Sequence, residues 1–151
     1  MKQCFKFVAI LQSFAALLAV SLLFGCSDQT IHFGQLTLSS NANSVSEDFP
    51  ADLIYPNAKV KVYGMLDTGG FWSPAQFAIF TESDDDSANI ISHYLTLLQQ
   101  QNWQILQSRY FETNKKTVLV GESLFKQTVT IVVADQKPTV VKLYLKRSSD
   151  D

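Results

Sequence analysis

Hydrophobic and polar residues fall into blocks that divide the chain into three parts. An uncharged, apolar run, FVAILQSFAALLAVSLLF, covers residues 7–24 after a short basic start. A stretch rich in Ser, Asn, Gln and Asp follows over 27–50, and a mixed pattern begins after it. The pattern predicts a leader, a flexible segment and one folded domain over 51–147, followed by a polar tail over 148–151.

The first part of the predicted domain has the pattern of a β-hairpin. Segments 59–63 and 75–80 place apolar residues at alternating positions, which is typical of half-buried strands. Turn-forming residues stand before the first strand, at Tyr55–Ala58, and between the two strands, at Asp67–Gly70. We therefore expect two antiparallel strands joined by a long tip.

One helix is predicted over about 84–101. Ser83 matches the N-cap of a capping box with Asp86 at the third helical position, and the acidic first turn suits the positive end of the helix dipole. Asn102 is suited to the left-handed conformation that ends a helix. An apolar stripe at helical spacing can lie on a sheet, and it consists of Ile90, Ile91, Tyr94, Leu97 and Leu98.

Three or four further strands are predicted after the helix. Their segments are 103–111, 117–120, 124–134 and 139–146, and the third has apolar positions at Phe125, Val129, Ile131 and Val133. The order is strand, strand, helix, then three or four strands. This order predicts an α+β fold, in which an antiparallel sheet of five or six strands carries one helix on one face.

The leader carries a more specific signal at its end. A basic start, an apolar run and a small residue before the junction are typical of a secretory signal peptide over 1–25. Leu23-Phe24-Gly25-Cys26 resembles the lipobox of bacterial lipoproteins. The resemblance implies cleavage between Gly25 and Cys26 and a diacylglycerol on the Cys26 sulfur. Two alternatives are an uncleaved transmembrane anchor and an ordinary cysteine after a conventional signal peptide.

This resemblance also implies a place in the cell. In Gram-negative lipoproteins Ser after the lipidated cysteine permits export to the outer membrane, so Ser27 favours the outer membrane, facing the periplasm. Residues 26–50 are expected to form a flexible tether, with at most a short extended piece at 31–33 and 36–38. A tether of that length has a reach of about 25–30 Å.

A second resemblance covers roughly 51–147. The sequence Phe49-Pro50-x-Asp52-Leu53-x-Tyr55-Pro56-x-Ala58 is similar to the opening of a loose group of small bacterial envelope proteins. Members continue with a Thr-rich strand end, an acidic helix cap and a helix with a Tyr-x-x-x-Leu run. This chain has the corresponding residues at Thr81, Asp85 and Tyr94 to Leu98. The resemblance implies a fold and no activity.

Composition and motif spacing argue against several classes of function and of binding site. A formal charge of −2 gives no global reason to bind nucleic acid, and two cysteines cannot build a disulfide scaffold. Asp84–Asp86 lacks the Gly and Glu of an EF-hand, so helix capping is the better interpretation. His32 and His93 have no metal-ligand spacing, and Gly121–Ser123 is not a nucleophile elbow. We therefore expect no catalytic site, no metal and no cofactor.

One local feature points to a partner. Phe71 and Trp72 stand between turn-forming residues at the predicted hairpin tip. They either fold back to cover the helix end or the sheet edge, or they contact a partner protein or a lipid interface. The leading hypothesis is a lipid-anchored binding or accessory module for a protein or cell-wall partner. The alternatives are a carrier of a small apolar ligand between helix and sheet, an enzyme, or a structural surface antigen.

Overall fold

A computed structural model describes residues 30–40, 45–67 and 75–147, which form one antiparallel sheet and one α-helix. Helix α1 covers Ser87–Gln100, and short 3₁₀ helices lie at Ala51–Leu53 and Glu112–Asn114. The strands are β1 (Thr30–Phe33), β2 (Leu36–Ser39), β3 (Lys59–Leu66), β4 (Gln76–Ser83), β5 (Gln104–Phe111), β6 (Lys116–Glu122), β7 (Thr128–Ala134) and β8 (Thr139–Lys146).

The sheet has the order β1-β2-β3-β4-β8-β7-β6-β5, with every neighbouring pair antiparallel. Strand β8 therefore inserts between the hairpin β3–β4 and strand β7. One row of paired residues crosses the sheet and supplies much of its buried face, because side chains at paired positions point to the same side. The central members of that row are Tyr63, Ile79, Leu143, Ile131 and Leu119.

Helix α1 lies on this buried face and completes the core. Of the predicted apolar stripe, Ile90, Tyr94 and Leu98 have no solvent exposure, whereas Ile91 and Leu97 are half-buried beside the core. The segment before β3 packs into the same core through Phe49 and Leu53. The Tyr94 hydroxyl donates a hydrogen bond of 3.0 Å to the Leu53 carbonyl oxygen, so this segment is fixed to the helix.

The two ends of α1 test the predicted caps. Asp86 is the N-cap, whereas Ser83, the predicted cap, is the last residue of β4. The Ser83 hydroxyl accepts a hydrogen bond from the Asp85 backbone N–H at 3.2 Å, so it turns the chain before the helix instead. At the other end Asn102 has φ +57, as predicted. The Trp103 N–H donates to the Leu98 carbonyl at 2.8 Å, which completes a Schellman motif.

The described residues confirm an α+β fold with one α-helix, but the predicted number of five or six strands is wrong, because they form eight. Two of the eight strands, β1 and β2, lie within 26–50, where the sequence predicted a tether with at most a short extended piece. They form a hairpin that pairs with β3 through Leu36–Ser39. The connection contains Gly34 with φ +58, a conformation that glycine adopts without strain.

A second correction concerns the start of β7. The sequence predicted a strand over 124–134, but β7 begins at Thr128. Residues 123–127 form a turn in which the Lys126 N–H donates to the Ser123 carbonyl at 3.0 Å. Leu124 and Phe125 occupy the two central positions of that turn, so Phe125 is exposed rather than part of the apolar face of the strand.

Candidate functional site

The residues that carried the functional predictions lie largely outside the described part of the chain. Gly25, Cys26 and Ser27 precede it, and Phe71 and Trp72 fall between Asp67 and Ala75. The lipid attachment at Cys26 and the partner contact at Phe71 and Trp72 therefore stay predictions.

The acidic residues before α1 have structural partners. Asp85 accepts a hydrogen bond of 2.8 Å from the Tyr55 hydroxyl, and this bond is the main reason that the pKa of Tyr55 is raised. The Asp85 carbonyl oxygen accepts a further hydrogen bond of 2.7 Å from the Thr139 hydroxyl. Asp86 pairs with Lys137 at 3.3 Å. These contacts join the start of the helix to the sheet and to the segment before β3.

The two histidines are far from each other in the fold. The His93 ring lies edge-on against Tyr55, with a ring-centroid distance of 5.0 Å, and also against Tyr94. His32 in β1 shares a hydrogen bond of 3.0 Å with the Thr37 hydroxyl of the neighbouring strand. Within the described ranges, no three His, Cys, Asp or Glu side chains are placed to hold a metal ion.

The face of the sheet turned away from α1, here called the helix-free face, carries an apolar depression of about 400 Å³. Gly64 and Ala78 are paired on adjacent strands and form its floor. Leu38 and Tyr144 continue the same row on either side. Phe77 and Leu145 border the depression from neighbouring strand positions, and its apolar lining on this face is formed by Leu36, Leu38, Gly64, Leu66, Ala78 and Tyr144.

Small residues keep the depression open. A Cβ atom added to Gly64 would lie 3.1 Å from the Leu38 side chain and 3.9 Å from the Ala78 Cβ, so even a methyl group would crowd the floor. Larger side chains at both positions would fill the depression, because paired residues on adjacent strands have their Cβ atoms about 5 Å apart. The pairing of Gly64 with Ala78 thus creates a recess between the larger side chains.

Polar groups stand on one side of this depression. Gln76 and Lys146 are paired on adjacent strands and lie at its border, with Thr128 and Thr130 beside them. Beyond Tyr144, the Phe80 ring meets the Tyr144 ring edge-on at 6.2 Å, and the Lys142 ammonium lies 5.0 Å from the Phe80 centroid. The depression can therefore accept an apolar group, while hydrogen-bond donors and acceptors surround it.

A second surface is formed where several strands end together. Leu66, Gln76, Lys146, Thr128 and Glu122 are paired in succession across the sheet. We call this border the loop end of the sheet. The connection between β1 and β2 and the turn between β6 and β7 both lie there. A groove of about 400 Å³ separates Leu124 and Phe125 from Pro50 and Trp103 at the same end.

Buried side chains of α1 and of the sheet meet in the interior between helix and sheet. Ile90, Tyr94 and Leu98 of the helix, and Leu119, Val129 and Ile131 of the sheet, are without solvent exposure. The apolar depression lies on the opposite face of the sheet from the interior between helix and sheet, where the ligand-carrier hypothesis expected a cavity.

Burial of Tyr94 in this interior raises the pKa of its hydroxyl well above the ordinary value near 10.

Comparisons with protein-family models, with curated proteins and with solved structures find no match for this chain. Among the described residues, the one α-helix is too short and too polar to span a membrane.

Sequence reasoning did not find the apolar depression. Leu36 and Leu38 lie in a segment whose composition suggested a tether, and Gly64 and Ala78 are unremarkable small residues in two predicted strands. Their meeting depends on the register between β2, β3 and β4. The alternation of Leu36 and Leu38 with polar neighbours is the one signal that pointed to a strand.

Proposed function

We propose that this chain is a lipid-anchored protein of the bacterial cell envelope, whose folded domain binds a protein partner through the helix-free face. The lipobox-like sequence ending at Cys26 supports the anchor, and Ser27 favours the outer membrane, facing the periplasm. The observation that carries the binding role is the apolar depression floored by Gly64 and Ala78. The one α-helix among the described residues packs on the opposite face of the sheet.

The chemistry of the depression favours a protein over a cell-wall glycan. The side chains that line it on the helix-free face are mainly aliphatic, and the aromatic ring of Tyr144 stands beside them, 40% exposed. Protein interfaces place aromatic and aliphatic anchors in such recesses and surround them with polar groups. Lys146 and Gln76 provide a polar border of this kind. The proposed partner therefore presents one large apolar side chain to the depression.

Site-specific photo-crosslinking tests the binding role. A benzoylphenylalanine in place of Tyr144 is expected to link the partner in intact cells, whereas the same probe at Tyr110 is the matched control. Tyr110 is also an exposed tyrosine, at 51%, but its side chain is on the other face of the sheet. The linked protein is then identified and purified, and its binding to the wild-type chain is measured directly.

A charged variant completes the binding test. Leu38→Lys places an ammonium group beside Gly64 and is expected to abolish both the crosslink from Tyr144 and the direct binding. Equal crosslinking from Tyr144 and Tyr110, or wild-type affinity in Leu38→Lys, would refute the helix-free face as the binding surface. Circular dichroism of the variant shows whether its sheet is retained.

Mass spectrometry of the protein purified from membranes tests the anchor independently. We expect a chain that begins at Cys26 and carries the mass of attached acyl groups. In Cys26→Ser the added mass and the detergent-phase partitioning are expected to disappear. An intact N-terminus, or a Cys26 without lipid, would contradict the lipid anchor while leaving the binding surface to its own test.

A further inference from the structure

We propose that the loop end of the sheet rests on the lipid bilayer, with Phe33, Leu124 and Phe125 entering the membrane interface. The proposal rests in part on the lipid anchor at Cys26 proposed above. It concerns a different surface from the apolar depression, and it assigns an orientation to the whole domain.

The first observation is the exposure of large apolar side chains at this end. Phe33 is 67% exposed, Leu124 80% and Phe125 79%. Each stands next to a strand connection: Phe33 is the last residue of β1, and the other two are the central residues of the turn between β6 and β7. A turn holds its central side chains outward, because the backbone hydrogen bond that closes the turn fixes their direction.

The second observation is the spacing of these side chains. In the sheet order, β1 is separated from β7 by four strands, and the paired row at the loop end joins them. With about 4.8 Å between neighbouring strands, the paired row places β1 about 24 Å from β7. A bilayer offers a flat apolar region beneath its headgroups over that distance, and aromatic side chains are enriched at its interface.

The third observation is the length of chain before β1. Only three residues separate Cys26 from Thr30, the first residue of β1. Four residue-to-residue steps of extended chain span at most about 14 Å. Thr30 is the end of β1 away from the loop end, about 10 Å from Phe33. Because the reach from Cys26 is longer than this, a lipid on Cys26 allows the loop end to rest on the bilayer, whereas a flexible tether over 26–50 would have a reach of about 25–30 Å.

Charge at the loop end indicates how the contact would form. Lys126, between Phe125 and Gln127, pairs with Glu122 at 3.5 Å, and together with Lys146 of the paired row these groups carry a net charge of only +1. Insertion of apolar side chains, rather than attraction to anionic lipid, then provides most of the contact energy. We expect the contact to persist in uncharged lipid and at high salt.

The test places single cysteines in the mature protein isolated from membranes. Phe33→Cys and Phe125→Cys report on the loop end, and Tyr110→Cys is the control at the opposite end of the sheet, where Tyr110 pairs with Thr117. Each variant is labelled with an environment-sensitive maleimide fluorophore. It is then reconstituted into vesicles of phosphatidylethanolamine and phosphatidylglycerol, with and without bromine on the acyl chains.

The labels at 33 and 125 are expected to shift their emission to the blue and to lose most of their intensity in brominated lipid, whereas the label at 110 does neither. Vesicles of phosphatidylcholine alone should give the same pattern. Labels at 33 and 125 that behave like the label at 110 would overturn the proposal, and they would leave the loop end as a surface for another molecule.

Wild-type protein treated with the same maleimide separates this proposal from the anchor. A lipidated Cys26 does not react, because its sulfur is in a thioether. If Cys26 reacts, the proposal of a lipid anchor is refuted. The emission and quenching of the labels at 33, 125 and 110 are then measured again in a Cys26→Ser background. Quenching at 33 and 125 in that background would still support the membrane contact, and its absence would overturn it.

Discussion

Replacing Tyr94 with phenylalanine isolates the hydrogen bond that fixes the segment before β3 to helix α1. Tyr94 and Leu53 are both without solvent exposure, and the hydroxyl donates to the Leu53 carbonyl oxygen at 3.0 Å. Phenylalanine keeps the ring and its edge contact with His93, at a centroid distance of 5.5 Å. The substitution therefore removes one oxygen atom and leaves the surrounding packing in place.

The magnitude follows from burial. A buried acceptor that loses its donor costs about 1–3 kcal/mol, because water cannot replace the lost partner. For a domain of about this size, each kcal/mol lowers Tm by about 4 °C. We expect Tyr94→Phe to lower Tm by about 4–12 °C without changing the far-ultraviolet circular dichroism of the folded state.

Tyr110→Phe is the matched control, since the same oxygen is removed from a tyrosine that is half exposed. Its Tm should equal that of the wild type, because water satisfies the groups at the surface. Thermal and urea denaturation of the three proteins provide the comparison. A Tyr94→Phe protein with the wild-type Tm, or equal losses in both variants, would refute the claim that this hydrogen bond fixes the segment to the helix.

Three further predictions concern the helix and its core. Leu98→Ala should lower the free energy of unfolding by about 2–5 kcal/mol in urea denaturation, because Leu98 is fully buried. Asn102→Ala should cost about 1 kcal/mol, because φ is +57 there, whereas Asn102→Gly should cost nothing. Burial raises the pKa of Tyr94, so stability should fall as pH rises above about 10, where the unfolded chain ionises first, and fall less steeply in Tyr94→Phe.

Local patterns predicted the central elements because each depended on nearby residues. The spacing of Ile90, Tyr94 and Leu98 is sufficient to define the buried side of a helix, and Asn102 marks its end. The helix start was misplaced because several residues in Ser83–Asp86 can act as caps. Only the length of β4 decides among them, since its pairing with β8 continues to Ser83.

Features that depend on strand register could not be predicted from the pattern of nearby residues. The alternation of Leu36 and Leu38 predicts at most a short extended piece, and its place in the sheet is decided by pairing with β3. Phe125 fits the alternation of β7, but the turn that ends at Gln127 moves it to the surface. The apolar depression requires Gly64 and Ala78 to be opposite each other on adjacent strands. The order of residues along one chain does not determine this pairing.

The strands at the two outer borders of the sheet determine whether copies of this chain can pair edge to edge. Strand β1 at one border has only four residues, strand β2 covers only Tyr63–Leu66 of the eight-residue strand β3, and the uncovered part of β3 carries Lys59 and Lys61. The opposite border, β5, has an irregularity between Ile105 and Gln107. Short, charged or irregular borders are poor templates for strand exchange. The borders of the sheet therefore oppose edge-to-edge pairing between copies of this chain.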